Sequence, residues 1–365
     1  MKAFRPTPYG LVIARLVLLA GAAASCADRE PPVQEFEVLS QAYTIDTIYR
    51  SMQGPSATVD VHLPAPDEAE LLWLTGYRAT VVGPDGETPV PPEFMCHSNL
   101  GFDSRRHARL FGWTKLPPSR LFTVSQGQTE IRFPSGFGVP MRSDETLSLT
   151  TQVLNHNVPD TTLDVRVKVT IEYVRQRDLD EPLRPLYLKS ANALVRLNEQ
   201  GGAYGMAPAH LTPHAGSGHH GAAHGEAASS RVIEDSYGRD FAGHWVVPPG
   251  RQANTTDVTG WMNLLQDETA HFIAVHVHPF AHSLILRDAT TGHAMFTSEM
   301  TGYPDRIGLS NVTAYADTAG LSLNSDHRYE LTSVYENTSG QPQEAMAVMY
   351  LYLFDREVWE RLKRN

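Results

Sequence analysis

The clearest pattern along the chain is an alternation of apolar and polar residues, which is typical of strands with one buried face. The alternation is longest at 163–173, where apolar residues take one face and mostly charged residues take the other. A second strand is predicted at 147–156, with His156 on its polar face. From about residue 42 to residue 175, such runs are separated by turns rich in Pro, Gly, Asn and Asp. This half of the chain is therefore predicted to be a β-domain.

The same pattern returns beyond about residue 240, after a segment of a different kind. Residues 201–230 are dominated by Gly, Ala, Ser and Pro. The segment also contains five histidines, which are His210, His214, His219, His220 and His224. Such a composition cannot bury a core and predicts a flexible loop. The later runs end in a strongly apolar strand at 345–354, which a short charged helix at 355–364 follows.

These patterns predict an all-β fold of two consecutive antiparallel β-sandwich domains, jelly-roll-like in type. The expected boundaries are an N-terminal sandwich at 42–178, a linker with the His-rich loop at 179–235, a C-terminal sandwich at 236–356 and a tail at 357–365. Charged residues are only 19% of the chain, and Gly and Pro are abundant. This composition favours a turn-rich β protein over a helical bundle.

Residues 1–25 have the order of a secretory signal, with basic residues first, an apolar run at 16–25 and small residues before Cys26. The apolar run is too short to span a bilayer. Small residues directly before a cysteine also resemble the bacterial lipobox, so lipidation of Cys26 and plain cleavage near residue 25 both stay open. An acidic tether is expected at 26–41. The chain is thus expected to be exported, as a periplasmic or cell-envelope lipoprotein or as a secreted protein, and to meet a membrane only through a lipid on Cys26.

The formal net charge is −11, which argues against a nucleic-acid partner because binding to phosphates depends on Lys and Arg. Sixteen histidines against two cysteines point to metal chemistry. If Cys26 carries a lipid, Cys96 has no partner in an oxidising compartment. Cys96 is then either a buried inert thiol or a metal-bound thiolate. Without the lipid, a disulfide between Cys26 and Cys96 is the third option.

The sharpest candidate site is His276-Val-His278, which lies inside an apolar run. On a strand, residues two apart point to the same face, so both imidazoles can reach one ion. Imidazole pairs suit copper or zinc. The alternative is two unrelated histidines on an exposed strand face, but the apolar neighbours favour a walled pocket. His271 and His282 lie close by as alternative ligands or supporting residues.

Met346 opens the last predicted strand, and a methionine in an apolar strand is by default part of the core. A thioether ligand becomes of interest only beside the two histidines, because soft sulfur selects copper over zinc or magnesium. Two His and one Met would form a copper site with open coordination positions.

Several motifs of the second half resemble the copper type II, ascorbate-dependent monooxygenases, the family of peptidylglycine alpha-hydroxylating monooxygenase and dopamine beta-monooxygenase. The motifs are Val247-Pro-Pro-Gly250, His276-Val-His278, the segment Tyr335-Glu-Asn337, and a later apolar strand that begins Ala345-Met346. The resemblance implies that His276, His278 and Met346 hold the oxygen-activating copper and are the catalytic residues. It also implies a one-electron reductant such as ascorbate.

The first half is similar to the same family, with altered residues at one site. The segments 110–113, 132–138 and 149–156 look like the region that ends in the third histidine of the electron-transfer copper, a role that falls to His156. Where the family has two adjacent histidines, this chain has Cys96 and His97.

Adjacent residues on an ideal strand point to opposite faces, so Cys96 and His97 need a bulge or a strand end to converge on one ion. His107 is a substitute candidate, although the arginines beside it are typical of a solvated loop.

The leading hypothesis is an exported copper monooxygenase with one or two copper ions, which hydroxylates a C–H bond of an unidentified small molecule or peptide. The main rival is a non-enzymatic copper-binding or copper-delivery lipoprotein, which the His-rich loop and Cys96 would also suit. A third reading is an adhesive or structural β-sandwich with incidental histidines. The fold alone proves no reaction.

Overall fold

A computed structural model gives the fold of this chain. It describes residues 33–64, 68–114, 118–160, 162–197, 202–207 and 232–364. The predicted signal, Cys26 and the five loop histidines lie outside the described residues.

Strands make up most of the described chain. In chain order, the first twelve are β1 (Gln34–Leu39), β2 (Tyr43–Ile45), β3 (Ser56–Val61), β4 (Leu71–Val82), β5 (Met95–Phe102), β6 (Arg120–Ser125), β7 (Glu130–Arg132), β8 (Phe137–Arg142), β9 (Leu147–Val153), β10 (Leu163–Arg175), β11 (Arg184–Asn192) and β12 (Val195–Arg196). The next twelve are β13 (Ile233–Glu234), β14 (Asp240–Ala242), β15 (Trp245–Val247), β16 (Gly250–Asp257), β17 (Glu268–Val277), β18 (Ala281–Asp288), β19 (His293–Gly302), β20 (Leu309–Val312), β21 (Tyr315–Leu323), β22 (Tyr329–Asn337), β23 (Gln343–Ala345) and β24 (Ala347–Phe354). The helices are α1 (Ser104–Phe111), α2 (Thr259–Met262) and α3 (Arg356–Leu362), with 3₁₀ turns at Pro92–Phe94 and Gln176–Asp178.

The strands form two sandwiches with separate cores, so the predicted all-β fold of two antiparallel sandwiches is confirmed. In the first sandwich, the sheet of β1, β10, β4 and β8 packs against the sheet of β3, β9, β5 and β6. The long alternating run predicted at 163–173 lies within β10, where Val165, Val167, Val169 and Ile171 are fully buried. Their alternation places one face of the strand in the core.

In the second sandwich, the sheet of β11, β24, β17 and β21 packs against the sheet of β16, β22, β18, β19 and β20. The two sandwiches share a sheet, because β8 of the first pairs in parallel with β11 of the second. Phe272 on β17 and Tyr352 on β24 are buried in the first core. The Tyr352 hydroxyl also donates a hydrogen bond to the carbonyl of Leu121, at 2.8 Å. One face of the second sandwich is therefore closed by the first.

Three predicted segments differ from the structure. Residues 34–39, expected in the tether, form β1, which pairs with β10 along its whole length. Residues 184–192, expected in the linker, form β11. The strand predicted at 147–156 ends at Val153, so His156 lies in a bend beyond it. Among the described residues, no helix is long and apolar enough to cross a membrane.

Candidate metal centre

His276 and His278 lie together at the junction of the two sandwiches. Both faces of β17 are buried, since Ile273, Val275 and Val277 enter the second core. His276 is on the opposite face, towards the first sandwich, and is 5% exposed, while His278 is one residue beyond the strand and 3% exposed. Their ring centroids are 5.7 Å apart. The predicted imidazole pair is therefore present, and it is buried.

Met346 lies at the point where the chain passes from one strand pairing to another. It lies between β23, which pairs with β15, and β24, which pairs with β17. The Met346 carbonyl accepts a hydrogen bond from the Tyr335 hydroxyl at 2.6 Å and one from the His278 N–H at 3.3 Å. These bonds tie the backbone at Met346 to the backbone at His278. Met346 lines the same cavity as His276.

Three ring nitrogens of this pair are buried and make no hydrogen bond with any described residue. They are Nδ1 of His276 and both Nδ1 and Nε2 of His278. The backbone of Glu344 lies close enough to favour protonated His278, but it makes no well-formed hydrogen bond with either nitrogen. Buried polar atoms without a partner are costly, and a metal ion is one partner that satisfies them. The residues present thus fit a metal that prefers nitrogen and soft sulfur donors, as copper does.

Burial also fixes the charge state of these imidazoles. Burial first, and then Arg120 and nearby histidines, lower the pKa of His276 and of His97 to about 3. Burial and the neighbouring imidazoles hold the pKa of His278 well below its ordinary value. All three side chains are therefore neutral at pH 7, which is the form that binds metals.

The three first-sandwich candidates, Cys96, His97 and His156, do not meet. Among the described residues, no three His, Cys, Asp or Glu side chains are arranged to hold one metal ion. His97 on β5 lies instead beside His276, with ring centroids 6.2 Å apart. The separate first-sandwich site inferred from the family resemblance is thus not assembled in this arrangement.

Cys96 occupies a bulge, one of the two arrangements that would let it converge with His97 on one ion. Met95 pairs with Val153 and His97 with Gln152, which leaves Cys96 as the extra residue. The thiol is buried, and burial raises its pKa to about 12. Cys96 is a free thiol. A protonated thiol is a poor metal ligand, so this environment favours the inert alternative.

His156 lies in a different small pocket, which Arg50, Ser51 and Glu344 also line. Its Nε2 is 3.4 Å from the Ser51 hydroxyl. Burial, and then the charge of Arg50, lowers its pKa to about 4. His156 therefore stays neutral at pH 7. It does not line the cavity of His97 and His276, although it is close enough to His278 to lower the pKa of that residue.

The other histidines considered as ligands also lie elsewhere. His271 packs on Phe137, with ring centroids 4.0 Å apart, and His282 is exposed. His107, the substitute candidate, lies neither at the cavity nor in the solvated loop that was its alternative, since it is buried in α1 with its Nδ1 2.9 Å from Glu145. These three residues are not part of the cavity wall.

A cavity of about 400 Å³ opens beside His276 and Met346. Its wall combines residues of both sandwiches and mixes apolar with polar residues, and the polar members include Thr58, Asn99, Arg120, Thr123, Ser148, Thr150, Ser190, Asn192 and Tyr350. The Arg120 guanidinium donates a hydrogen bond to Thr123 at 3.2 Å. This volume holds a small molecule next to the imidazoles.

His244 also lines this cavity and was missed by the sequence analysis. It lies in the bend between β14 and β15, with its ring centroid 5.7 Å from that of His278. His244 has no other histidine at ligand spacing in the sequence, so only the fold brings it to the site. Its position directly before the apolar run at Trp245 was the one available signal.

Comparisons with known proteins give weak matches. No family model and no curated protein matches the chain. A peptide-N(4)-(N-acetyl-β-D-glucosaminyl) asparagine amidase is 9% identical over 88% of this chain and 96% of its own, with a TM-score of 0.34. The top component of cowpea mosaic virus is 9% identical over 85% of this chain and 90% of its own, with a TM-score of 0.33. The major capsid protein P2 of bacteriophage PM2 is 9% identical over 87% and 99%, with a TM-score of 0.28. Likenesses of this size carry no functional argument.

Proposed function

We propose that this chain is a copper-dependent monooxygenase, which hydroxylates a C–H bond of a small molecule with dioxygen and a reductant such as ascorbate. The observation that supports it is the position of His276 and Met346 on the wall of a cavity of about 400 Å³, with His278 beside them. A buried donor set that is open on one side to a substrate-sized space differs from a closed structural site.

The roles of the residues follow from their donor types. A copper ion held by His276, His278 and Met346 would supply dioxygen binding and one-electron chemistry. The thioether of Met346 is a soft donor that favours Cu(I). Asn99, Ser190 and Tyr350 offer hydrogen bonds to a substrate in the cavity. Export of the chain, with a lipid on Cys26 as a possible membrane contact, is part of the same proposal.

The overall reaction balances as follows. The substrate R–H gives R–OH, with one oxygen atom taken from dioxygen, and the other oxygen atom leaves as water. Dioxygen takes two electrons from the C–H bond and two from the reductant, with two protons from solvent. Ascorbate, as a one-electron donor, is consumed twice per turnover.

The test is incorporation of labelled oxygen. Copper-loaded protein, freed of unbound copper, is incubated with ascorbate, ¹⁸O₂ and a panel of small molecules and peptides, and products are analysed by mass spectrometry. The expected result is a product that carries one ¹⁸O atom. Copper binding without any labelled product across the panel would contradict the enzyme and support the copper-delivery alternative.

A matched pair of methionine variants separates ligation from packing. Met346→Ile removes the sulfur at the cavity, whereas Met349→Ile makes the same change at a fully buried core position. We expect Met346→Ile to lose oxygen incorporation and Met349→Ile to keep it, because similar volumes preserve the fold. Equal activity in both variants would make Met346 a packing residue.

A further inference from the structure

Four imidazoles follow one another across the junction of the sandwiches. In the order His97, His276, His278 and His244, successive ring centroids are 6.2, 5.7 and 5.7 Å apart. They come from three separate parts of the fold, which are β5 of the first sandwich, β17 with the residue just beyond it, and the bend before β15. We call these four residues the histidine row.

Two further features point to a ligand for the row. Three of the four residues, His97, His244 and His276, line the same cavity, together with Met346. The two central residues, His276 and His278, carry the three buried ring nitrogens that make no hydrogen bond with any described residue. Imidazole nitrogens that are buried in this way, between other imidazoles, fit a bound cation with a preference for nitrogen donors.

We infer that the histidine row forms one composite metal centre, in which His97 and His244 are donors to the same single Cu(I) ion as His276 and His278. This inference rests on the metal of the proposed function, and it replaces the two separate copper sites that the family resemblance implies with one site shared by both sandwiches. His244 is a donor that the motifs did not indicate.

Filling the centre requires a small rearrangement. The imidazoles adjoin one another in pairs, and no three of the described His, Cys, Asp or Glu side chains converge on one ion. His97 and His244 both line the cavity. In the proposed centre, rotation about side-chain bonds brings one or both of these imidazoles to the metal that the central pair holds.

The experiment measures Cu(I) binding by competition with a chromophoric chelator, together with X-ray absorption to count imidazole donors. The protein is full length, with the five loop histidines changed to serine so that they add no copper. The variants are His97→Ala and His244→Ala, and His156→Ala is the matched control because it also lies at the junction but in another pocket.

We expect one Cu(I) per chain and at least three imidazole donors. His97→Ala and His244→Ala should each weaken binding at least tenfold and lower the imidazole count, while His156→Ala leaves both unchanged. Two ions per chain, with His97→Ala removing one and leaving the other at full affinity, would overturn the inference. Unchanged affinity in both variants would overturn it as well.

The outcomes also separate this inference from the proposed function. One composite ion without labelled product supports the centre and contradicts the monooxygenase. Labelled product from a protein with two independent ions does the reverse.

Discussion

In the second sandwich, His276 lies on β17, and His278 and Met346 lie directly beside the ends of the paired strands β17 and β24, where a backbone hydrogen bond joins them. In the first sandwich, Cys96 lies in a bulge, His97 lies on a strand and His156 lies in a bend. In the second sandwich, His276 and Met346 line one cavity and His278 lies beside His276. The first set is divided between that cavity, the core and a separate pocket.

The difference shows what a sheet can and cannot fix. Ladder pairing sets the faces and the spacing of residues on adjacent strands, so a ligand pair at i and i+2 arrives together. His278, one residue beyond β17, is still held by its backbone hydrogen bond to Met346, whereas His156 lies further beyond the end of β9 and is free of that constraint. His97 keeps the constraint, and its face of β5 is turned towards His276 instead of His156.

The largest expected effect separates the two sets directly. His276→Ala should reduce Cu(I) affinity by more than about 100-fold, since loss of a supporting residue alone costs 10–100-fold in metal sites. His156→Ala should leave that affinity unchanged because His156 lies in another pocket. Competition titration with a Cu(I) chelator measures both affinities. Equal losses of affinity in the two variants would contradict the difference between the two sets of residues.

The pH dependence tests whether His97 behaves like His276. Both have a folded pKa of about 3 against 6.5 for an ordinary histidine, so below pH 6.5 only the unfolded chain gains the proton. The stability that these two histidines contribute to the metal-free protein is therefore full above pH 6.5 and is lost as the pH falls towards 3. Because the unfolded chain binds a proton at each histidine, the free energy of unfolding falls by about 2 kcal/mol per histidine between pH 6.5 and pH 5.

His97→Gln and His276→Gln should each reduce that pH-dependent loss by about 2 kcal/mol, measured by urea unfolding at pH 7 and pH 5. His282→Gln, at an exposed position, is the control and should keep the wild-type loss. A wild-type loss in His97→Gln would place its imidazole outside the buried row.

Tyr335→Phe probes the link between His278 and Met346. The hydroxyl donates to the Met346 carbonyl and accepts from the His278 N–H. Its removal should cost about 1–3 kcal/mol of stability and weaken Cu(I) binding several-fold, because two buried backbone groups lose a partner. Tyr329→Phe, which removes a hydroxyl bonded to Asn324 instead, is expected to keep the copper affinity.

The smallest expected effect concerns Cys96. Its buried, protonated thiol should resist alkylation in folded protein both with and without Cu(I), and should react after denaturation. Cys96→Ala should cost about 1 kcal/mol of stability and leave copper binding intact. If Cu(I) instead protected the Cys96 thiol from alkylation, Cys96 would be a copper ligand, and the first sandwich would also supply a ligand from its predicted set.

The sequence predicted what depends on local periodicity. Alternation located β10 and brought His276 and His278 together, because side-chain direction on a strand follows the residue number. It also ran through 34–39, where Phe36 and Val38 alternate with glutamates and pack on the first core. The acidic composition of that segment favoured a tether, and the prediction there was wrong.

What the sequence could not show is contact between distant segments. The approach of His97 to His276 depends on how the two sandwiches dock, and His244 reaches His278 through a bend of the chain. No periodic pattern encodes either distance. Likewise, β11 begins with Arg184 and Pro185, and a proline there is a turn signal that concealed a strand.

The sheet that joins β8 to β11 also limits how this protein can be divided. A truncation that separates the two sandwiches would leave β8 and β11 with unpaired edges and would expose Phe272 and Tyr352 to water. Separate halves would therefore aggregate or stay unfolded, and heating the intact protein should produce a single melting transition. If recombination moved the coding region of one sandwich into another gene, that sandwich would not be expected to fold without the other.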